Sequence, residues 1–368
     1  MSKITFVDLK KENNIIRKSY FNKLNQVVDR SDFSLGRELK EFEKNFARFC
    51  RAKFCIGLAS GTDALRTALL ACGIKKGDEV ITTPISYTAT SLAIAHCNAK
   101  PVFVDVLEDG NIDPSKIKKA ITQKTRAILI VHIYGNPCDI DRVRRIAKKH
   151  GFFLIDDCAH AHGARYKNRS IGGLADISCF SFYPTKNLGA WGDGGAITTN
   201  NKDLYHRALL FKNFGGIDRN YSEVLGFNSK LDTVQAAVLN EKLKILGKMN
   251  KKRQELARRY TKRLRGVGDI KTLPFSRDCS YYVFPIKTNH RDKLRDFLSQ
   301  KGIQTMIHYP LPIHLQKCFN YLGYKKKDFP KAEKHANTIL SLPFYPFLIF
   351  KEQNKIISSI KEFFKILT

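Results

Sequence analysis

The chain alternates two kinds of segment, and this limits its fold more than any other feature. Short apolar runs occur at 54–59, 79–83, 101–106, 127–132, 152–156, 177–182 and 195–199. Between the first five lie helix-patterned segments at 63–72, 88–97, 114–121 and 140–150. Strands joined through helices pair in parallel, because the chain must travel back along the sheet between them. Runs that are apolar at nearly every position belong to strands covered on both faces. Short Gly, Pro and Asp turns separate the elements. The expected fold class is therefore α/β, with a mostly parallel sheet between helical layers.

The flanks differ. Residues 1–50 read as polar helix ending in an amphipathic stretch at 39–49. After 229 the pattern turns helical, with Asp232 placed to cap a helix running through Gln235, Ala236, Leu239 and Leu243. A strand at 281–286, a helix at 292–301, a His- and Pro-rich loop at 308–316 and a terminal helix describe a smaller α+β unit. A length of 368 residues suits two domains. The expected division is 1–245 and 246–368.

Composition narrows the functional classes. No apolar run is long enough to span a bilayer before charge interrupts it. The first residues lack the layout of a signal peptide, so a cytoplasmic protein with no membrane partner is expected. The nine cysteines are odd in number, form no Cys-x-x-Cys pair and sit partly within apolar runs, as reduced core thiols do. The net charge of +30 raises nucleic acid, anionic membranes or anionic small molecules as partners. However, the basic residues are spread along the chain. The densest run, 248–265, carries an apolar stripe of Leu256, Tyr260 and Leu264 and reads as a solvated helix face. No aromatic-interleaved RNA signature or zinc-finger spacing occurs, so no nucleic-acid partner is expected.

The segment Ser178-Cys-Phe-Ser-Phe-Tyr-Pro-Thr-Lys-Asn-Leu-Gly-Ala-Trp-Gly-Asp-Gly-Gly-Ala196 ends a strand in a lysine before a Gly-rich turn. Lys186 is either an ordinary loop lysine or a Schiff-base lysine at the edge of a cofactor site. A desolvated lysine can serve because its amine becomes nucleophilic. Four further segments supply what such a site needs. Ser60-Gly-Thr-Asp63 begins a helix, where Gly61 permits close approach and Thr62 sits at a positive dipole end; alone it is an ordinary helix cap. Ser181 offers a hydroxyl to the same phosphate. Leu154-Ile-Asp-Asp-Cys-Ala-His160 ends a strand in carboxylates, at the sheet end where ligands bind. Such a carboxylate can keep a pyridine nitrogen protonated; it can also cap the next helix. Asp157, Cys158, His160 and His162 imitate a zinc cluster without spaced partners, and no metal is expected. Tyr87, after another strand end, is placed to stack on a flat ring or to pack in a core. Asn228 precedes a helix and is a weaker phosphate candidate.

Taken in order, Ser60-Gly-Thr-Asp-Ala-Leu65, Asp157-Cys-Ala-His-Ala-His-Gly163, Phe180-Ser-Phe-Tyr-Pro-Thr-Lys-Asn-Leu-Gly189, Gly192-Asp-Gly-Gly195 and Asn228-Ser-Lys-Leu-Asp232 resemble the DegT/StrS type of pyridoxal-phosphate (PLP) sugar aminotransferases. The resemblance covers nearly the whole chain. It implies the type I PLP-dependent transferase fold, aspartate aminotransferase-like: a large domain with a mostly parallel seven-stranded sheet, plus a small C-terminal α+β domain. It implies Lys186 as the Schiff-base lysine and proton carrier, and Asp157 as partner of the pyridine nitrogen. His160 is implied against the ring or its phenolic oxygen, and Tyr87 stacked on the ring. Gly61, Thr62 and Ser181 would hold the phosphate, and Asn228 would reach the phosphate of a neighbouring subunit in a homodimer with shared sites.

Relatives with histidine at the lysine position dehydrate their substrates, so Lys186 favours transamination. L-glutamate is the implied donor and a nucleotide-linked keto-sugar the acceptor, in bacterial surface-glycan or glycoside synthesis. The form around Lys186, with 307–316 and 341–346, is similar to enzymes acting at C-3 of dTDP-linked 3-keto-6-deoxyhexoses. Enzymes of 4-keto or UDP-linked 3-keto-N-acetyl sugars are the nearby alternatives. Tyr183, His308, Tyr309 and His314 are the candidates for the sugar-nucleotide site, and Trp191 is expected to shape its mouth.

Overall fold

The computed structural model describes residues 3–216 and 220–367. Two N-terminal helices, α1 (Leu9–Arg30) and α2 (Arg37–Cys50), precede β1 (Phe54–Leu58) and α3 (Gly61–Ala71). Then come β2 (Glu79–Thr82), α4 (Ala89–His96), β3 (Lys100–Phe103), α5 (Pro114–Ile117), β4 (Thr125–Val131), α6 (Ile140–His150) and β5 (Phe153–Asp157). A hairpin of β6 (Arg165–Tyr166) and β7 (Arg169–Ser170) leads to β8 (Ile177–Ser181), β9 (Gly195–Thr199) and α7 (Lys202–Lys212). The rest is α8 (Thr233–Leu264), β10 (Lys271–Thr272), β11 (Phe284–Lys287), α9 (Arg291–Gln300), α10 (Pro330–Thr338), β12 (Ile339–Leu342) and α11 (Phe350–Leu367).

All seven apolar runs are strands of one sheet, ordered β1-β9-β8-β5-β4-β2-β3. Only β9 is reversed: it pairs antiparallel with both β8 and β1, and the other pairings are parallel. The strand alternation of side chains fills both faces. Ala127, Leu129 and Val131 join the core under α3, α4 and α7, whereas Ile128 and Ile130 join the core under α2 and α6. That double burial is why these strands read as unbroken apolar runs.

The antiparallel sheet β10-β11-β12 builds a second core with α9, α11 and the later half of α8. The 245/246 position falls within α8, one helix of 32 residues. Its Leu239 and Leu246 belong to the large-sheet core, and Leu256, Tyr260 and Leu264 to the smaller one. Asp232 occupies the N-cap position of α8 but its side chain makes no capping hydrogen bond. The strand expected at 281–286 is displaced to Phe284–Lys287, because Tyr281 adopts positive φ and breaks extended geometry there. All nine cysteines are free, eight of them buried. Among the described residues, no helix is long and apolar enough to cross a membrane.

Candidate active site

The ends of β4, β5 and β8 open into a cavity of about 620 Å³. Parallel strands whose crossover helices lie on both faces leave such a crevice at their carboxyl ends. Lys186 and Asp157 both line it, with Gly61, Thr62, Ser181 and Tyr87.

Asp157 is buried at the last position of β5. One carboxylate oxygen accepts the Thr90 hydroxyl at 2.8 Å, and the other accepts the Ala159 N–H at 3.1 Å. Thr90 Oγ1 also lies 2.7 Å from Ser86 Oγ. Burial pushes the Asp157 pKa up, while Thr90, the Ala159 N–H and the charge of Lys186 pull the other way. No cation among the described residues forms an ion pair with it. A buried carboxylate in this state gains most from a cation placed in the cavity.

The start of α3 faces the same space. Ser60 caps the helix by accepting the Asp63 N–H at 3.1 Å. A Cβ at position 61 would lie 2.5 Å from Ser181 Cβ, so only glycine allows α3 and β8 to meet there. Gly195 is equally constrained, with Ser60 O at 2.2 Å from its ideal Cβ. The result is a helix N-terminus with a serine hydroxyl beside it, which suits a phosphate.

Lys186 follows β8 in a tight turn in which its N–H donates to Tyr183 O at 2.8 Å. Its Nζ lies 4.4 Å from the Tyr282 ring centroid, a cation–π distance. His160 stacks on the same tyrosine, with ring centroids 4.2 Å apart. The Tyr134 N–H donates to His160 Nδ1 at 3.3 Å. The neutral ring therefore carries its proton on Nε2, 3.4 Å from Tyr309 Oη. Burial, reinforced by Lys186, holds the His160 pKa well below that of a free imidazole. The same two causes hold His308 down to about 4, and its Nδ1 lies 3.0 Å from Ser341 Oγ.

Of the four sugar-site candidates, Tyr183, His308 and Tyr309 line the cavity. His314 does not: it is buried against Phe329, with Nε2 3.3 Å from Glu333. Asn228 lies outside the cavity, exposed, accepting a hydrogen bond from Lys230 Nζ at 3.0 Å. Trp191 does not shape the mouth. Its Nε1 donates to Asn13 at 2.7 Å and its ring meets Tyr20 edge-on, so it clasps α1 to the turn after Lys186. The potential metal ligands that converge, among the described residues, are His132, Asp156 and Cys158, all buried. The Cys138 N–H donates to His132 Nδ1 at 3.1 Å, so His132 Nε2 presents a proton to Asp156 at 3.5 Å. Nδ1 is thereby occupied by a backbone N–H, and the Nε2 proton faces the Asp156 carboxylate without forming a hydrogen bond.

Ser86, Thr90, Tyr282 and Arg253 also line the cavity and are not evident in the sequence reading. Thr90 lies within the Tyr-Thr-Ala-Thr segment that presents Tyr87. Tyr282 reads as a strand residue, and Arg253 as one cation in a basic run. The residues present fit PLP: a buried carboxylate without a cation, a glycine-dependent cradle at a helix start, and a lysine opening onto the space between them.

The family model "DegT/DnrJ/EryC1/StrS aminotransferase family" matches residues 14–361. The chain is 41% identical to the pleiotropic regulatory protein of Geobacillus stearothermophilus, over 98% of this chain and 99% of that one. It is 40% identical to the dTDP-3-amino-3,4,6-trideoxy-alpha-D-glucose transaminase of Streptomyces venezuelae, over 98% and 96%. The crystal structure of S. venezuelae DesV in complex with a ketimine intermediate superposes with a TM-score of 0.97 at 38% identity, covering 99% of each chain.

Proposed function

The chain belongs to the DegT/DnrJ/EryC1/StrS aminotransferase family, and on that premise we propose that it transfers an amino group from L-glutamate to C-3 of a dTDP-linked 3-keto-6-deoxyhexose. It is a PLP-dependent sugar aminotransferase of the type I fold. The observation that carries the proposal is that Lys186 and Asp157, from two adjacent strand ends, share one cavity with the α3 cradle. The C-3 assignment draws on the relatives' substrate and on Tyr183, His308 and Tyr309 lining that cavity.

PLP, when bound, supplies the electron sink and carries the amino group between the two substrates. Asp157 holds a proton on the ring nitrogen, for which burial and the Thr90 and Ala159 hydrogen bonds orient it. Ser60, Gly61, Thr62 and Ser181 hold the phosphate. Tyr87 and the neutral His160 would contact the cofactor ring, since both line the cavity. Lys186 Nζ takes the α-proton of the donor in one half-reaction and delivers a proton to the sugar carbon in the other. A positioned proton carrier of this kind contributes roughly 10²–10⁴-fold.

Asn228 serves the phosphate of a second copy, giving a homodimer with shared sites. Its exposure supports this, as do the exposed apolar side chains of Phe214 and Leu225 nearby in the chain. Sedimentation should then give a species of twice the chain mass; a monomer in active protein removes this assignment. The working division is a cofactor domain of 1–245 and a smaller domain of 246–368, with α8 as their shared spine.

The deciding experiment incubates holoenzyme and L-glutamate with dTDP-3-keto-6-deoxyglucose, its 4-keto isomer and a UDP-linked 3-keto-N-acetyl sugar. A 3-amino dTDP-sugar formed fastest supports the proposal. Preferential amination of either other sugar replaces it with that specificity.

A further inference from the structure

Arg253 is a buried cation to which the proposed function assigns no task. It sits on α8 in register with Leu256, Tyr260 and Leu264, so the face that is apolar elsewhere carries a guanidinium here. It is 3% exposed and lines the active-site cavity. Its Nε has no hydrogen-bond partner, and among the described residues no carboxylate pairs with it. Glu12 acts on it at a distance but is itself paired with Lys242 at 3.2 Å. His162, which feels both Lys186 and Arg253, is held down to about 3 by burial and stays neutral, so it offers no counter-charge. The Asn187 Oδ1 nearby in the chain to Lys186 is likewise buried without a partner.

A desolvated, unpaired guanidinium inside a cavity is costly unless an anion meets it there. We propose that Arg253 binds the α-carboxylate of the amino donor, an inference that rests on the aminotransferase reading above. Two anionic groups enter this cavity in that reaction: the carboxylates of the donor and the diphosphate of the sugar nucleotide. The diphosphate is attached at C-1 and is separated from the reacting carbon by the sugar ring. The α-carboxylate is one bond from the carbon whose proton Lys186 takes. Arg253 and Lys186 share Tyr282 as a neighbour: the lysine Nζ lies over its ring, and the tyrosine acts electrostatically on the arginine. A carboxylate also matches the planar fork of a guanidinium.

The test compares wild type, Arg253→Met and Arg253→Lys as holoenzymes. Stopped-flow absorbance with each substrate varied gives the apparent affinity and rate of each half-reaction separately, with 2-oxoglutarate read on the amino-loaded form and L-glutamate on the aldehyde form. The expected result is a loss of roughly 30–100-fold in 2-oxoglutarate affinity and in apparent L-glutamate affinity for Arg253→Met, the size of a lost charge-assisted pair. Arg253→Lys should recover part of it. The reverse half-reaction with the amino-sugar nucleotide should change by less than about threefold, with cofactor retained. Equal losses toward both substrates, or loss of cofactor, would show a structural role and overturn the proposal. A loss confined to the sugar nucleotide would assign Arg253 to the diphosphate and overturn it too. Wild type that binds 2-oxoglutarate no better than Arg253→Met overturns this proposal alone. Wild type that takes no amino group from L-glutamate at all overturns the reading beneath it.

Discussion

At the scale of single residues, Asp157 shows how the site trades stability for binding. Its pKa in the folded, cofactor-free protein is raised, chiefly by burial. A raised folded-state pKa means that the group's contribution is most favourable below the unfolded value of about 3.9 and is lost as pH rises through the folded value. Cofactor-free Asp157→Asn is therefore expected to melt above cofactor-free wild type at pH 7, with the gap closing as the pH falls toward about 4. The same variant should lose kcat by about 100-fold or more, in line with the roughly 3–5 kcal/mol of a buried charge left unpaired. Melting scans and single-turnover assays check the two halves; a variant less stable than wild type at pH 7 contradicts the burial argument. That Lys186 and Asp157 line one cavity was legible in the sequence, because Asp157 ends an apolar strand, Lys186 closely follows another, and each lies inside a recognisable motif. Thr90, Tyr282 and Arg253 were not, because their meaning depends on which side chains the fold sets across from them. His314 shows the converse: its Pro-rich loop resembles a site, yet the ring turns inward to Glu333.

At the scale of elements, the seven strands were readable because burial on both faces leaves a continuous apolar signature. The reversed direction of β9 was not readable, since a strand carries no mark of its polarity in the sheet. The helix expected from Asp232 forms without the side-chain cap, as burial of α8 along both cores outweighs one terminal hydrogen bond. The junction between α3 and β8 gives a direct test. A Cβ at Gly61 would fall 2.5 Å from Ser181 Cβ and 3.0 Å from its Cα, where backbone must yield. Gly61→Ala is expected to cost about 1–3 kcal/mol of stability, as overpacking does, and to speed cofactor release. Equilibrium unfolding with absorbance-monitored dialysis measures both. An unchanged release rate would show that the cradle is not formed by this contact.

At the scale of the whole molecule, α8 runs from the large-sheet core into the smaller one, so the expected division at 245/246 falls inside a helix and not at a linker. The charge of +30 was the least informative property of the sequence, because nothing in composition distinguishes the exposed lysines of α6 from the buried Arg253. Buried histidines set the molecule's response to acid. His162 and His335 are each held down to about 3, and His308 to about 4, by burial, with His160 shifted the same way. A depressed folded-state pKa gives stability that is present above the unfolded value, about 6.5, and lost as the pH falls from there toward the folded value. Unfolding near pH 5 should accordingly take up roughly two or more protons, and the melting temperature should fall steadily between pH 6.5 and 4.5. A melting temperature that is flat across that interval would place these rings in contact with water.

The covalent role of Lys186 is the claim on which the site, the reaction and the donor anchor all depend. Borohydride reduction of the purified holoenzyme, followed by peptide mass mapping, measures it most directly. A single pyridoxyl-modified peptide with the label on Lys186, absent in Lys186→Ala, is the expected result. A label on another lysine, or a cofactor that washes away unreduced from wild-type protein, would contradict it.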